Sequence, residues 1–279
     1  MIESEKLSSL EDFAREIRKK TLYTLGKLGV GHIGGALSVV DILALLYGME
    51  MRYDPKQPLW EERDLLVLSK GHAGPALYST LALKGFFPMD WLDTLNRGGT
   101  QLPSHCDRNK TPGIDMTTGS LGQGLSAACG FALGKKLDGS RVNVFCIIGD
   151  GETNEGQNWE AAMFAAQYRL SNLIAFTDYN KMQLDGTTEE VMDLGDIEGK
   201  WKSFGWYVER CNGHDFSAMY EAISKAKAQA ETSDAKPSMI ILDTIKGKGV
   251  AFCEGKVESH NMPVTWEMAE QAMAALGGN

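Results

Sequence analysis

Two apolar runs in this chain each end in residues that could bind a metal and an anion. Val142-Asn143-Val144-Phe145-Cys146-Ile147-Ile148 leads into Gly149-Asp150-Gly151, and Leu173-Ile174-Ala175-Phe176 leads into Asp178-Tyr179-Asn180. If both runs are parallel strands, Asp150 and Asn180 open onto one carboxyl edge, where α/β sheets bind ligands. A carboxylate, an amide oxygen and a nearby backbone carbonyl form a hard-oxygen site suited to Mg²⁺ or Ca²⁺, with room left for phosphate oxygens. Gly151 lets a backbone amide approach a diphosphate, as does the helix start that follows. The glycines at 149, 151 and 156 do not fit Gly-x-Gly-x-x-Gly, and no Gly-Lys-Ser/Thr follows, which excludes a P-loop. A bare Gly-Asp-Gly is a common turn; its weight here comes from the two flanking strands and the matching Asn180.

Histidines supply the second set of candidates. His32, His72, His105 and His260 fall in segments expected to be edge loops, two of them glycine-rich: Gly31-His32-Ile33-Gly34-Gly35 and Ser69-Lys70-Gly71-His72. Imidazoles donate to hydroxyls and to diphosphate oxygens, and they move protons near neutral pH. The fifth histidine, His214 in Asn212-Gly213-His214-Asp215, is expected in a helix-capping turn. Lys246, in Ile245-Lys246-Gly247-Lys248-Gly249, either reaches a ligand or is a solvated lysine in a flexible loop.

The elements that must position these residues alternate. A helix with its capping box at Ser8-Ser9-Leu10-Glu11 carries Leu10, Phe13, Ile17 and Leu25 at helical spacing. An apolar helix spans 39–47, a short strand spans 65–68, and a further helix begins at Pro75. Residues 95–116 read as a long surface or active-site loop. A helix is expected from Gly119, with Gly122, Ser126 and Gly130 forming a stripe of small residues that lets another backbone approach. The strand 142–148, a helix over about 154–168 and the strand 173–178 form a βαβ unit. A strand at 206–209, a helix capped by Asp215 and a strand at 239–242 follow. This order predicts an α/β fold, doubly wound, with a mostly parallel sheet and helices on both faces. The length suits a single domain over 1–279, closed by an amphipathic helix over about 265–276.

Taken in order, these segments resemble the N-terminal, diphosphate-binding part of transketolases, within the thiamin-diphosphate enzyme superfamily. The resemblance covers nearly the whole chain: Gly31–Gly35, Ser69–His72, Thr111-Pro112-Gly113, Thr117-Thr118-Gly119-Ser120-Leu121-Gly122-Gln123-Gly124, Gly149–Gly151 and Asp178–Asn180. The run 117–124 is the most specific of them. The resemblance implies thiamin diphosphate and Mg²⁺ (or Ca²⁺) as cofactors, with the metal on Asp150, Asn180 and the Met182 carbonyl. It implies cofactor contacts from His72, Gly119, Ser120, Leu121, Gly149, Gly151 and Lys246, and catalytic contacts to sugar hydroxyls from His32, His105 and His260. It also matches Glu155 to a glutamate buried at the family's subunit interface; the plain alternative is an acid at a helix start. Ile33 and Gly35 depart from the family's proline-containing pattern, and Asn261 follows His260 where glycine is usual.

A complete transketolase is more than twice this long. The resemblance therefore implies a split enzyme, whose partner subunit carries the pyrimidine-binding and C-terminal domains in an α₂β₂ assembly. The expected reaction is transfer of a two-carbon ketol unit from a ketose phosphate to an aldose phosphate. Two other readings stay open at this point. One is part of an enzyme acting on 2-oxo acids, like the α chain of a 2-oxo-acid dehydrogenase or a deoxyxylulose-phosphate synthase; the other is a non-enzymatic cofactor-binding module. The 279 residues are 43% hydrophobic and carry a net charge of −9, which argues against nucleic acid and anionic membranes as partners. No stretch approaches the roughly 20 apolar residues of a transmembrane helix, and no signal peptide opens the chain. Five scattered cysteines without a Cys-x-x-Cys pair fit reduced thiols and a cytoplasmic location.

Overall fold

Continuous apolar runs, not alternating ones, form the strands, and such runs belong in a sheet buried on both faces. The computed structural model describes residues 2–277. Its elements are α1 (Ser4–Leu28), β1 (Val30–Gly31), α2 (Ile33–Leu37), α3 (Val40–Leu45), β2 (Leu65–Leu68), α4 (Gly74–Leu83), α5 (Gln123–Leu137), β3 (Val144–Gly149), α6 (Gly156–Gln167), β4 (Leu173–Tyr179), α7 (Thr188–Val191), α8 (Ile197–Ser203), β5 (Tyr207–Asn212), α9 (Phe216–Ala230), β6 (Ser238–Asp243), β7 (Met262–Pro263) and α10 (Trp266–Ala275). Five strands make one sheet in the order β2-β3-β4-β6-β5, and every pairing in it is parallel. Alternate residues of each strand enter separate cores. Phe145, Ile147, Phe176 and Ile240 pack with apolar residues of α1, α3, α4 and α9. Cys146, Ile148, Ala175 and Ile241 pack with α5, α6 and Trp201 of α8. The expected doubly wound α/β architecture is what the chain adopts.

Register brings the chemistry to one line. Gly149 pairs with Asp178, and Tyr179 pairs with Asp243, so β3, β4 and β6 end together. Asp150, Asn180 and Thr244 therefore leave the sheet at the same carboxyl edge. A separate two-stranded ribbon pairs β1 with β7 antiparallel, Gly31 opposite Met262, and so sets the segments of His32 and His260 side by side.

Several boundaries differ from the sequence expectation. The first helix starts at Ser4 with Glu3 as a cap that makes no side-chain bond, so Ser8–Glu11 lies inside it. Serine costs little within a helix, and the buried stripe of Leu10, Ala14 and Ile17 carries the helix through. The helix expected from Gly119 begins at Gln123, because Gly119 (φ 147°) and Gly122 (φ 86°) lie outside helical space. Of the small-residue stripe, Gly122 packs against Glu155 and Ser126 bonds Gln157 at the start of α6, whereas among the described residues no atom comes within 4 Å of a Cβ placed on Gly130. Residues 33–50 have a mean hydropathy of 1.5 and are 83% buried. They form α2, α3 and a wider turn (Leu46–Glu50), interrupted at Ser38-Val39. Asp215 caps α9 by accepting from Ser217 N and Ala218 N, and Thr265 caps α10.

The first turn of α5 touches the end of β2 at Gly124, where an added Cβ would meet the Ser69 Cβ at 2.5 Å and its backbone Cα at 2.7 Å. Gly124→Ala is expected to lower the unfolding free energy by about 1–3 kcal/mol through overpacking. Chemical denaturation checks this, and an unchanged midpoint contradicts the close packing.

Candidate active site

The edge is organised around Asp178, a fully buried carboxylate at the end of β4. Its Oδ2 accepts from Lys70 Nζ at 2.5 Å, Ser38 Oγ at 2.7 Å and Asn180 Nδ2 at 3.1 Å, and its Oδ1 accepts from Thr244 Oγ1 at 2.5 Å. Burial by itself raises such a carboxyl, but Lys70 and the two hydroxyls outweigh it and leave Asp178 below the usual range. Asp178 is thus saturated by the protein.

Asp150, next to it, is not. Its Oδ1 accepts from Gly151 N at 2.8 Å and its Oδ2 from Lys181 N at 2.5 Å, with no cationic side chain paired to it among the described residues. Burial, and then the charge of Asp178, push its carboxyl up to about 7. Asn180 gives its amide nitrogen to Asp178, which turns Oδ1 toward Met182 N at 3.1 Å. Thr188 N bonds Lys181 O and Gln183 N bonds Gly186 O, leaving the Met182 carbonyl between them without a backbone partner among the described residues. An under-compensated carboxylate, an oriented amide oxygen and an unused carbonyl make a donor set that fits a hard divalent cation.

The four histidines named from the sequence converge. Ring centroids lie 5.4 Å apart for His32–His72, 5.7 Å for His32–His105, 5.4 Å for His32–His260 and 5.1 Å for His72–His260. All four are held below the ordinary imidazole value. Burial does most of this, helped by Lys70 at His72, by Lys246 at His260, which falls to about 4, and by His105 at His32. The cluster is therefore neutral at pH 7, and each ring offers one donor and one acceptor.

Lys246 belongs to the site and is no solvated loop lysine. It is 2% exposed, and its Nζ donates to Gln183 O at 3.0 Å and lies 3.5 Å from Val257 O. Burial, then repulsion from Lys70, lower its ammonium to about 8. Gly149 and Gly151 flank Asp150, and a Cβ on Gly151 would lie 3.0 Å from Gln183 Cγ. Gly119 abuts His105, whereas Ser120 and Leu121 stand exposed on the rim. Glu155 is exposed too, and as the residue before α6 it makes no capping bond.

Besides Ser38 and Thr244, the sequence reading missed three contributors. Lys70, buried against Asp178, has a motif position but no local sign of its partner 108 residues away. Glu152 accepts from Ser69 Oγ, Gly122 N (2.9 Å) and Gly149 N (3.0 Å), tying three segments of the edge together. Gln183 places beside Gly151 a buried Nε2 that has no partner among the described residues. His214 also does more than sit in a capping turn: Asp215 is the cap, while the His214 ring bonds Asp41 and Ile245.

Comparison with known proteins agrees with this geometry. The family described as "Transketolase, thiamine diphosphate binding domain" matches residues 10–279. The chain belongs to the transketolase family. It is 58% identical over 273 residues to the 6-deoxy-6-sulfo-D-fructose transketolase subunit SqwG of Clostridium sp. (strain MSTE9), covering 98% of each chain. It is 38% identical to an apulose-4-phosphate transketolase subunit of Actinobacillus succinogenes, over 96% of this chain and 95% of that one. A Pichia stipitis transketolase solved with sedoheptulose-7-phosphate superposes with a TM-score of 0.91 at 30% identity, over 98% of this chain. This transketolase-family chain spans only 41% of that enzyme's length.

The neutral cluster is open to direct measurement. In an NMR titration of the imidazole nitrogens, His260 should show its midpoint near 4, with His32, His72 and His105 all below 6.5. A His260 midpoint at or above 6.5, the unperturbed value, contradicts the desolvated cluster.

Proposed function

We propose that this chain is the diphosphate-binding subunit of a two-chain transketolase, which moves a two-carbon ketol unit from a ketose to an aldose. The observation that carries this reading is the gathering of four neutral imidazoles at the sheet edge that also holds Asp150 and Asn180. Mg²⁺ would be held by Asp150, Asn180 and the Met182 carbonyl. His72 and Lys246 would bind the diphosphate of thiamin diphosphate, with backbone contacts from Gly119, Ser120, Leu121, Gly149 and Gly151. When bound, the cofactor supplies the electron sink that ketol transfer needs.

His32, His105 and His260 bond sugar hydroxyls and move protons at them, which their neutral state at pH 7 permits. Lys246 and the backbone amides orient the diphosphate, and the buried edge keeps water from competing for those contacts. The pyrimidine-binding and C-terminal domains come from a partner chain, and we favour an α₂β₂ assembly. Two relatives of nearly equal length that carry "subunit" in their names support this division. The 58% identity to SqwG makes 6-deoxy-6-sulfo-D-fructose the first ketose donor to try, ahead of sugar phosphates.

The reading is tested by purifying the chain in complex with its partner and assaying a panel of ketose donors, with pyruvate as control. Ketol transfer is expected only from the complex; turnover of pyruvate without any ketose turnover overturns the proposal. In that complex, Asp150→Ala should abolish Mg²⁺-dependent binding of thiamin diphosphate, measured by calorimetry after EDTA treatment and Mg²⁺ addition. His105→Ala should lower kcat/KM for the donor by about 10²-fold while cofactor binding persists. Loss of cofactor binding in that variant would remove His105 from the substrate side.

A further inference from the structure

A buried charged network ends on the backbone of the loop that carries Lys246. Asp41 of α3 is at its centre. Arg18 of α1 forks onto it, with Nη1 donating to Oδ1 at 2.9 Å and Nη2 to Oδ2 at 2.6 Å. His214 places Nδ1 2.7 Å from the same Oδ2. Arg18 is 9% exposed and Asp41 is 5% exposed.

Both arms then continue to the loop. His214 Nε2 accepts from Ile245 N at 2.9 Å, and Arg18 Nε donates to Lys248 O at 3.2 Å. The acceptor role of Nε2 fixes the tautomer, with the proton on Nδ1 facing the Asp41 carboxylate. The two grips fall on either side of Lys246. Between and beyond them, Gly247 (φ 76°) and Gly249 (φ 86°) occupy left-handed conformations that other residues resist. Backbone bonds anchor the downstream half, Gly247 N to Gly34 O and Gly255 N to Lys246 O. Upstream, Thr244 N bonds Tyr179 O, and the next N–H, that of Ile245, is held among the described residues by His214 alone.

We infer that Asp41, acting through His214 and Arg18, is a positioning residue that sets where Lys246 presents its ammonium group to the diphosphate. The inference rests on the proposed cofactor role of Lys246. It assigns to Asn212-Gly213-His214-Asp215 a task in ligand binding although none of these four residues is proposed to touch the ligand. The clamp changes no bond and moves no proton; it fixes a backbone amide and a carbonyl so that a buried lysine has one place to be.

A double-mutant cycle on the complex with the partner chain, in Mg²⁺, tests this. Thiamin diphosphate affinity is measured for the wild type, His214→Ala, Lys246→Ala and the double variant. Each single change should weaken binding about tenfold, and the double variant should bind no more weakly than Lys246→Ala. In steady state, His214→Ala should raise the cofactor's apparent KM and keep kcat within about twofold once the cofactor saturates. Amide exchange at Ile245 should accelerate in His214→Ala whether or not cofactor is present.

Additive losses in the double variant, a fall in kcat with unchanged KM, or unchanged exchange at Ile245 each overturn the clamp and leave the cofactor role of Lys246 standing. Unchanged affinity in Lys246→Ala overturns the clamp together with that role. If His214→Ala does not fold, Asp41→Asn keeps the shape of the central side chain and enters the same cycle with the same outcomes.

Discussion

Asp178 must keep a charge where no water reaches it, and the arrangement of the whole edge follows from how that charge is satisfied. A buried carboxylate is tolerated only when paired and fully hydrogen-bonded. The groups that satisfy it come from four separate segments: Lys70 after β2, Ser38 between α2 and α3, Asn180 after β4 and Thr244 after β6. One side chain therefore fixes the relative positions of three strand ends and a helix junction. It also decides which atom Asn180 offers outward, since the amide nitrogen is already committed. By claiming Lys70, it leaves Asp150 without a cationic partner among the described residues, and its own charge adds to the burial that raises the Asp150 carboxyl to about 7. Asp150 is thereby a carboxylate of the edge with no ion pair of its own among the described residues.

Around this fixed edge, the apolar layers supply rigidity and the polar residues supply direction. The two cores hold β3 and β4 from both faces, so residues that leave those strands inherit their precision. Glu152 extends the scheme to the adjoining turn, where one buried carboxylate orders Gly122 and Gly149. Neutral imidazoles, a lysine lowered to about 8 and glycines that admit close backbone approach share a small volume. All of them favour ligands with many oxygens over apolar ones.

Much of this was legible in the amino-acid order. The strands at 144–149 and 173–179 announce themselves as unbroken apolar runs, and Asp150 and Asn180 follow them directly. The four histidines stand out as ring residues in glycine-rich or irregular segments. What could not be read is pairing across distance. Asp41 and His214 are 173 positions apart, and Asp41 lies within an apolar stretch where it looks like a helix residue of no special kind. Lys246 resembled a surface lysine because its neighbours are Gly, Lys and Ile; only the packing of other segments removes it from solvent. The start of α5 was misplaced because Gly119 and Gly122 fit a helix by spacing while their backbone angles do not.

The short ribbon of β1 and β7 has a kinetic meaning. It joins Val30 to Pro263, a span that encloses the whole sequence of the parallel sheet, and it sets the segments of His32 and His260 side by side. Contacts between such distant positions are the slowest to form, because the loop they close must be ordered first. During synthesis the parallel sheet can be assembled up to β6 while the histidine wall is still open. The wall formed by His32 and His260 is thus among the last parts of the edge to close as the chain folds.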